Sequence, residues 1–435
     1  MTKKNPRYLS ILILNKIFND KSYSNLVLKE YLEKYDLKDV DKRLITEIVY
    51  GTVKYKLSID NIISSFVKKF DKNDISTIIL RSAIYQLRYL DKVPEYAVLN
   101  ESVEASKLLC NNKSKFVNGV LRNYLRNKDT IKNRKNTLQD EYSFATWMIK
   151  LLKKQYPKEY INLMSSLNER GDTCCRINSL KYSKEDFLHK FSEFKIENLE
   201  QFQNALKIRY VSDITNSHLY KEGLLSIQDL SSQLVCEILS PRVGDTIIDL
   251  CAAPGGKSTY IAELIKDNGK IISCDVHEHK IKLIRNNIFR LGIKSIECFV
   301  NDATIVNDNF LDLADKVLLD APCSGFGVIK KKPEIKWFKN QSDLEEIISV
   351  QKKIINIASR YVKKNGILMY TTCTLNKNEN ENIINNFLSN NKNFVIEEID
   401  FTLFRDLKIE NINNMITLFP SKINDGFFMC KLRKI

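Results

Sequence analysis

Apolar positions along this chain change their period about half-way. In the first half they recur at helical spacing. Leu44, Ile45, Ile48 and Val49 share one stripe, as do Leu80, Ile84 and Leu87, and Phe116, Val117, Val120 and Leu121 form another. Residues 144–163 also read as helical, and Pro94 breaks the chain between two helices. From about Leu225 onward, short apolar runs alternate with longer amphipathic stretches. The runs predict strands at 246–250, 270–275, 296–300, 316–320 and 366–371. Leu344, Ile347, Ile348, Gln351, Ile354, Ile355 and Ala358 predict a helix between the last two. Such alternation implies a mostly parallel, doubly wound sheet. Residues 426–431 predict a late antiparallel strand. Between the halves, Arg176 to Leu180 and Leu206 to Val211 predict a small α+β unit.

Glycine sharpens this division. Ten of the thirteen glycines follow Lys221, and only Gly51, Gly119 and Gly171 precede it. Glycine serves tight turns and close backbone approach, so the many strand-to-helix turns belong to the second half. The expected organisation is a helical domain over 1–138, linker helices with the small α+β unit over 139–224, and an α/β domain over 225–435.

Charge adds a candidate partner. Lys and Arg outnumber Asp and Glu by 68 to 53, a net +15. Nine basic residues and one acid, Asp129, lie between Lys107 and Lys135, with Arg122, Arg126 and Tyr124 among them. A single-signed run of this kind is either a solvated face or a nucleic-acid contact. Hydrophobic residues make up 43% of the chain, which excludes wholesale disorder. The apolar run after the charged start is too short for a signal peptide, and no apolar stretch is long enough to span a membrane. Ten cysteines without a Cys-x-x-Cys pair, and only four histidines, argue against a zinc site. They suit a reducing cytosol.

The candidate chemistry lies at strand ends, where an open α/β sheet binds its ligands. The first strand of the second half runs into Asp249-Leu250-Cys251-Ala252-Ala253-Pro254-Gly255-Gly256-Lys257-Ser258. This loop is neither Gly-x-Gly-x-x-Gly nor a P-loop. Asp275 ends the second strand, where an acid can accept from ribose hydroxyls, and Asp302 follows the third, where an adenine could be flanked. Together they describe an adenosine ligand that needs no pyrophosphate, and S-adenosylmethionine fits. Two further strand ends carry thiols: Cys323 in Asp320-Ala321-Pro322-Cys323-Ser324-Gly325, and Cys373 in Thr371-Thr372-Cys373-Thr374.

Asp249 to Lys257, Asp320 to Gly325 and Thr372-Cys373-Thr374 resemble motifs I, IV and VI of the RNA cytosine-C5 methyltransferases, in the RsmB/Sun type that acts on 16S, small-subunit ribosomal RNA. Further matches are Gln228-Asp229, Lys332-Pro333-Glu334-Ile335-Lys336-Trp337, Glu379-Asn380 and Asp425-Gly426-Phe427-Phe428. The first half resembles the NusB-like RNA-binding domain of that type, through Asp41-Lys42-Arg43-Leu44, Val49-Tyr50-Gly51-Thr52 and Asn118 to Arg122. Thr374 departs from the serine common at that position.

The resemblance implies a NusB-like helical domain, a small α+β unit and a Rossmann-like class I methyltransferase domain. It also implies roles. Cysteines 251, 323 and 373 divide between cofactor and catalysis: Cys251, Ala252, Ala253, Pro254, Gly255, Gly256, Lys257, Asp275, Asp302 and Asp320 would hold S-adenosylmethionine, while Cys373, Cys323 and Asp320 would carry the reaction. Cys373 would attack cytosine C6, Asp320 would hold N3 as a protonated carboxyl, and Cys323 would assist breakdown of the adduct. Lys257 and Lys330-Lys331-Lys332 would favour the Cys373 thiolate, and Lys330 to Trp337 would contact RNA. In DNA cytosine-C5 methyltransferases the nucleophile follows a proline, which points to Cys323 instead. The expected partner is small-subunit ribosomal RNA, free or partly assembled, with no metal, no membrane and a monomeric enzyme. Transfer RNA is the alternative substrate, and a non-catalytic RNA-binding or antitermination protein is the alternative class.

Overall fold

Alternation along the second-half strands divides neighbouring residues between two cores. Ile247, Leu318, Met369 and Met429 pack in one cluster, and Ile248, Val317, Leu319, Leu368 and Tyr370 pack in another. Side chains two apart share a face of a strand, so both faces of one sheet are covered. In the computed structural model, which describes residues 4–132, 137–194, 196–208 and 214–435, the chain forms two compact units. One comprises Met1–Asn168 with Lys331–Lys339, the other Glu169–Lys330 with Asn340–Ile435.

The first unit is helical. Its core includes Leu14, Ile17, Ile45, Val49, Ile79, Ile84, Val98, Val117 and Leu121, among them several of the stripe positions. Pro94 stands just before the helix Glu95–Leu109, and Pro157 separates Thr146–Gln155 from Tyr160–Asn168. In the core a fully buried Arg81 holds Asp60 by two bonds, Nε–Oδ1 at 2.6 Å and Nη2–Oδ2 at 3.0 Å.

Lys331–Lys339 packs as part of this helical unit. Ser24 donates to the buried Glu334 through both its amide and its hydroxyl, at 3.2 and 2.8 Å. Buried Lys336 donates to Tyr142 O at 3.1 Å and Asn168 Oδ1 at 2.9 Å. Trp337 Nε1 donates to Val53 O, and its ring lies against Phe18. Expected RNA contacts over this segment are therefore corrected: Glu334, Lys336 and Trp337 are consumed by packing, while Lys331 and Lys332 remain exposed.

The second unit holds two sheets. A small antiparallel one is made of β1 (Thr173–Ile177), β2 (Ile196–Asn198), β3 (Ala205–Ile208) and β4 (Leu225–Ile227), in the order β2-β3-β1-β4. The expected α+β unit extended over Arg209 to Val211, which lie outside the described residues. So do Arg134 and Lys135 of the basic run. Residues up to Asn168 pack with the helical unit.

The large sheet contains β5 (Thr246–Asp249), β6 (Lys270–Asp275), β7 (Ile296–Val300), β8 (Ala314–Asp320), β9 (Val362–Thr372), β10 (Phe394–Ile396), β11 (Ile409–Ile412), β12 (Met415–Leu418) and β13 (Phe427–Lys434). Its order is β11-β12-β13-β9-β8-β5-β6-β7, with β10 on β13. β5 to β9 pair in parallel, and β13 pairs antiparallel to β9. The doubly wound expectation holds over β5 to β9, and the antiparallel edge makes the sheet mixed. The order reverses between β5 and β8, which opens a crevice at their carboxyl ends. No described helix is long and apolar enough to cross a membrane.

Candidate active site

Asp249 ends β5 and is buried, with Oδ2 accepting from Ser258 Oγ at 2.6 Å. Its Oδ1 is buried with no hydrogen-bond partner among the described residues. Burial pushes this carboxyl up to about 7, because removal from water disfavours the charged form. The turn that follows requires glycine: Gly255 has φ +97°, and a Cβ there would stand 3.0 Å from Ile284 Cγ2. Ala252 N donates to Cys274 O at 2.8 Å, and Asn287 Nδ2 donates to Pro254 O at 3.0 Å, so β6 and the helix Glu278–Leu291 fix the loop.

Arg176 of β1 braces the same turn. It is fully buried and donates to Gln228 Oε1, Thr259 Oγ1 and both oxygens of Glu263, over 2.8–3.2 Å. Thr259 Oγ1 in turn donates to Gly255 O at 2.8 Å. Gln228 Nε2 is buried, has no partner among the described residues, and lies 3.7 Å from where a Gly256 Cβ would be. In the sequence Gln228 stands out only as a motif residue and Arg176 only as the start of the small α+β unit. Neither neighbours the loop in sequence.

Asp275 and the residues before Asp302 end the adjacent strands β6 and β7. Asp275 accepts from His277 N at 3.3 Å and pairs with Lys280 at 3.4 Å. Asp302 Oδ1 accepts from Thr304 N and Oγ1 at 2.8 and 2.7 Å, which holds this carboxyl below its usual range. Two acids on consecutive strand ends, a glycine turn and the unsatisfied Asp249 Oδ1 fit S-adenosylmethionine, which is cationic at its methionine end and carries ribose hydroxyls. Asp249, Gly255, Gly256, Asp275 and Asp302 would hold it.

The reacting groups lie across the switch point. Lys257 Nζ is 2.6 Å from Asp320 Oδ2, and Thr371 Oγ1 donates to Asp320 Oδ1 at 3.0 Å. Asp320 thus already has an ammonium and a hydroxyl on its two oxygens. The ion pair pushes Lys257 up to about 12, against the opposing effect of burial. Lys257 is therefore committed to Asp320 rather than to a thiol. Lys330 is likewise engaged, with Nζ bonded to the carbonyls of Ser421 and Asn424.

Cys323 Sγ and Cys373 Sγ stand 3.2 Å apart. Their loops meet at glycines: Gly327 N donates to Cys373 O at 2.9 Å, and Gly426 N donates to Gly327 O at 3.0 Å. The hydrogen bond with Cys373, together with burial, holds the Cys323 thiol well above its usual range. Either thiol can donate to the other across this contact. Thr374 Oγ1 bonds Ser324 Oγ at 2.7 Å, a contact that the serine common at this position could also make. All ten cysteines are free, and among the described residues no group of three or more His, Cys, Asp or Glu could hold a metal ion.

Comparison with known proteins places the chain in a family. The profile "16S rRNA methyltransferase RsmB/F" matches residues 236–433, "NusB family" matches 4–126, and "Methyltr_RsmF/B-like, ferredoxin-like domain" matches 144–215. The "Probable ribosomal RNA small subunit methyltransferase B" of Bacillus subtilis (strain 168) is 34% identical over 100% of both chains. A protein of the same description from Synechocystis sp. is 33% identical, over 98% of this chain and 99% of its own.

The chain belongs to the RsmB/F family of ribosomal RNA methyltransferases. The crystal structure of PH0851 shares its fold, with a TM-score of 0.82 and 27% identity over 99% of each chain. The RsmB/F chain described here is thus a methyltransferase with a NusB-like helical part, a small middle domain and a Rossmann-like catalytic part. S-adenosylmethionine is its cofactor.

Proposed function

We propose that this enzyme methylates C5 of a cytosine in small-subunit ribosomal RNA, through a covalent bond between Cys373 Sγ and C6. The observation that carries this reading is the pair of sulfurs 3.2 Å apart, beside Asp320 at the end of β8. A methyltransferase acting on a hydroxyl or an amine has a nucleophile in its substrate and needs no thiol. Cytosine C5 has no lone pair, and a thiolate adding to C6 makes it nucleophilic. The names of the relatives support ribosomal RNA as the substrate.

S-adenosylmethionine supplies an electrophilic methyl group on a sulfonium. Cys373 gives its proton to solvent and its thiolate bonds to C6, so electron density moves onto C5 and toward N3, where Asp320 and Lys257 would hold the base. After C5 gains the methyl group it still carries its proton. Transfer of that proton to the ionised Cys323 restores the C5–C6 double bond and expels Cys373 as a thiolate. Cys323 is suited to assist this last step. Its bond to the Cys373 sulfur is the largest cause holding its thiol up. Once that sulfur is bonded to carbon, the cause is gone and Cys323 ionises more readily. The base must leave its stack to reach the thiols, so a loop or junction is the expected target. Free thiols throughout suit action in the cytoplasm.

The test is transfer of labelled methyl from S-adenosylmethionine to purified small-subunit and transfer RNA, followed by digestion to nucleosides. The label is expected in 5-methylcytidine from the small-subunit RNA. Label on ribose, on N4 or on another base overturns the chemistry. Label confined to transfer RNA overturns the substrate, and no label at all favours a non-catalytic RNA-binding protein.

A further inference from the structure

We propose that Glu379 is a positioning residue of the two-thiol site, whose buried carboxylate clamps the loop after β8 to the loop after β9 and so sets the spacing of Cys323 and Cys373. This rests on the cytosine-C5 reading above, in which that spacing decides when the second thiol can act.

Glu379 is fully buried, and no cation pairs with it among the described residues. A bare carboxylate in such a place has to be satisfied by hydrogen bonds. Four donors do this. Ser324 N and Gln351 Nε2 donate to Oε2 at 2.8 and 3.2 Å. Ser324 Oγ and Asn376 Nδ2 donate to Oε1 at 2.6 and 2.9 Å. Ser324 follows Cys323, and Asn376 lies three residues beyond Cys373, so one side chain grips both thiol loops. Gln351 extends the grip by donating to Pro322 O at 2.9 Å, on the other side of Cys323.

The carboxylate also fixes a proton order. It can only accept, so Ser324 Oγ must donate to it. Thr374 Oγ1 must then donate to Ser324 Oγ, across their 2.7 Å contact. The loops are held at a second level by Asn380, which accepts from Thr372 Oγ1 at 2.6 Å and donates to Thr374 O at 3.0 Å. The negative charge of Glu379 is, in addition, among the causes that hold the Cys323 thiol up.

Glu379→Gln keeps the shape and removes the charge. Ser324→Ala removes one of the four bonds to the carboxylate and the contact with Thr374, and keeps the carboxylate, which guards against failure of the first variant to fold. For Glu379→Gln, kcat is expected to fall on the order of 10- to 100-fold, the range for reacting groups displaced by a fraction of an ångström to an ångström. KM for S-adenosylmethionine should stay within about twofold, because β5 to β7 are untouched. A structural role alone would not move a second readout: the rate of Cys323 alkylation in the enzyme without RNA, resolved by peptide mass spectrometry at one pH. It should rise about threefold to tenfold in Glu379→Gln, as the thiolate fraction increases. Ser324→Ala should lower kcat by less and leave that rate near its original value.

Unchanged kcat with unchanged alkylation in Glu379→Gln overturns the proposal. So does a loss confined to thermal stability or to KM. Failure of the native enzyme to form 5-methylcytidine sinks the C5 reading itself, and is told apart because the alkylation readout needs no substrate.

Discussion

Cys323 Sγ lies 3.2 Å from Cys373 Sγ, and the two sulfurs stand in unlike surroundings. Cys323 follows Pro322 and carries a thiol held up by its neighbour and by burial, while Cys373 lies in the loop after β9 and its carbonyl accepts from Gly327 N. The nucleophile and the release group are thus distinguishable by substitution. Cys323→Ala should accumulate a covalent RNA–protein adduct, visible as a shifted band on a denaturing gel, with slow turnover. Cys373→Ala should form no adduct and lose activity by about 10³-fold or more. Adduct in Cys373→Ala and none in Cys323→Ala would assign the attack to Cys323.

Asp249 gives a pH dependence with a defined sign. Its folded value of about 7 lies above the ordinary aspartate value of about 3.9. The folded chain therefore holds a proton that the unfolded chain has already lost. Stability falls as pH rises through that window and levels off above 7. Asp249→Asn removes this dependence, so its melting temperature should gain on the native enzyme between pH 4 and 7 and then run parallel. The full effect is on the order of 4 kcal/mol. A cationic ligand beside the unsatisfied Oδ1 favours the carboxylate. S-adenosylmethionine should therefore bind more tightly as pH rises through 7, and titration calorimetry should find that trend flattened in Asp249→Asn.

The parallel strands and the motif loops were legible because they depend on local pattern. Apolar runs that end in Asp249, Asp275 and Asp320 are buried on both faces and read as strands without tertiary knowledge. The antiparallel edge was only partly legible. β13 was foreseen, but β10, β11 and β12 are three or four residues each, too short for a period to register. Partner choice was the least legible. Nothing local marks Lys257 for Asp320, 63 residues away, or Trp337 for Val53. Charge and aromaticity in the sequence suggested RNA contacts for the latter segment, and folding spent both on a core.

Gly327 tests how closely the loops must approach. A Cβ at this position would stand 1.8 Å from Gly426 O and 2.9 Å from Cys373 O, all backbone atoms that cannot swing aside. Gly327→Ala forces the strand start at β13 away from the thiol loops. Overpacking of this kind costs about 1–3 kcal/mol, so the melting temperature should fall by a few degrees. At a temperature where the variant is folded, kcat should still drop by at least about tenfold, because the displaced carbonyl belongs to Cys373 itself. Native kcat in a folded variant would show that the loops tolerate separation.

RNA binding should carry a salt signature from the helix Ser114–Lys132. Lys115, Arg122 and Arg126 are exposed there, while Tyr124 is buried in the helical core and is not a stacking platform. If this face meets phosphates, affinity falls steeply with ionic strength. Arg122→Ala with Arg126→Ala should lower the slope of log K against log salt by about 1 for each residue removed. Affinity for S-adenosylmethionine should not change. An unaltered slope would mark the run as a solvated face.

Arg176 joins the small sheet to the cofactor turn through charge. Its guanidinium and the Glu263 carboxylate are both fully buried, 2.8 Å apart. Arg176→Met leaves that carboxylate unpaired in the interior, which costs about 3–5 kcal/mol. The double variant Arg176→Met with Glu263→Leu removes both charges and should recover part of the loss, whereas additive losses would show that the pair is not coupled. Arg176→Lys should not rescue. An ammonium cannot reproduce the planar fork that serves Glu263, Thr259 and Gln228 at once. Thr259 then loses the donor that orients its own bond to Gly255 O, and the turn loosens. KM for S-adenosylmethionine should rise about tenfold in Arg176→Lys, the equivalent of one buried hydrogen bond at about 1.4 kcal/mol, while trapping of RNA by Cys373 should persist.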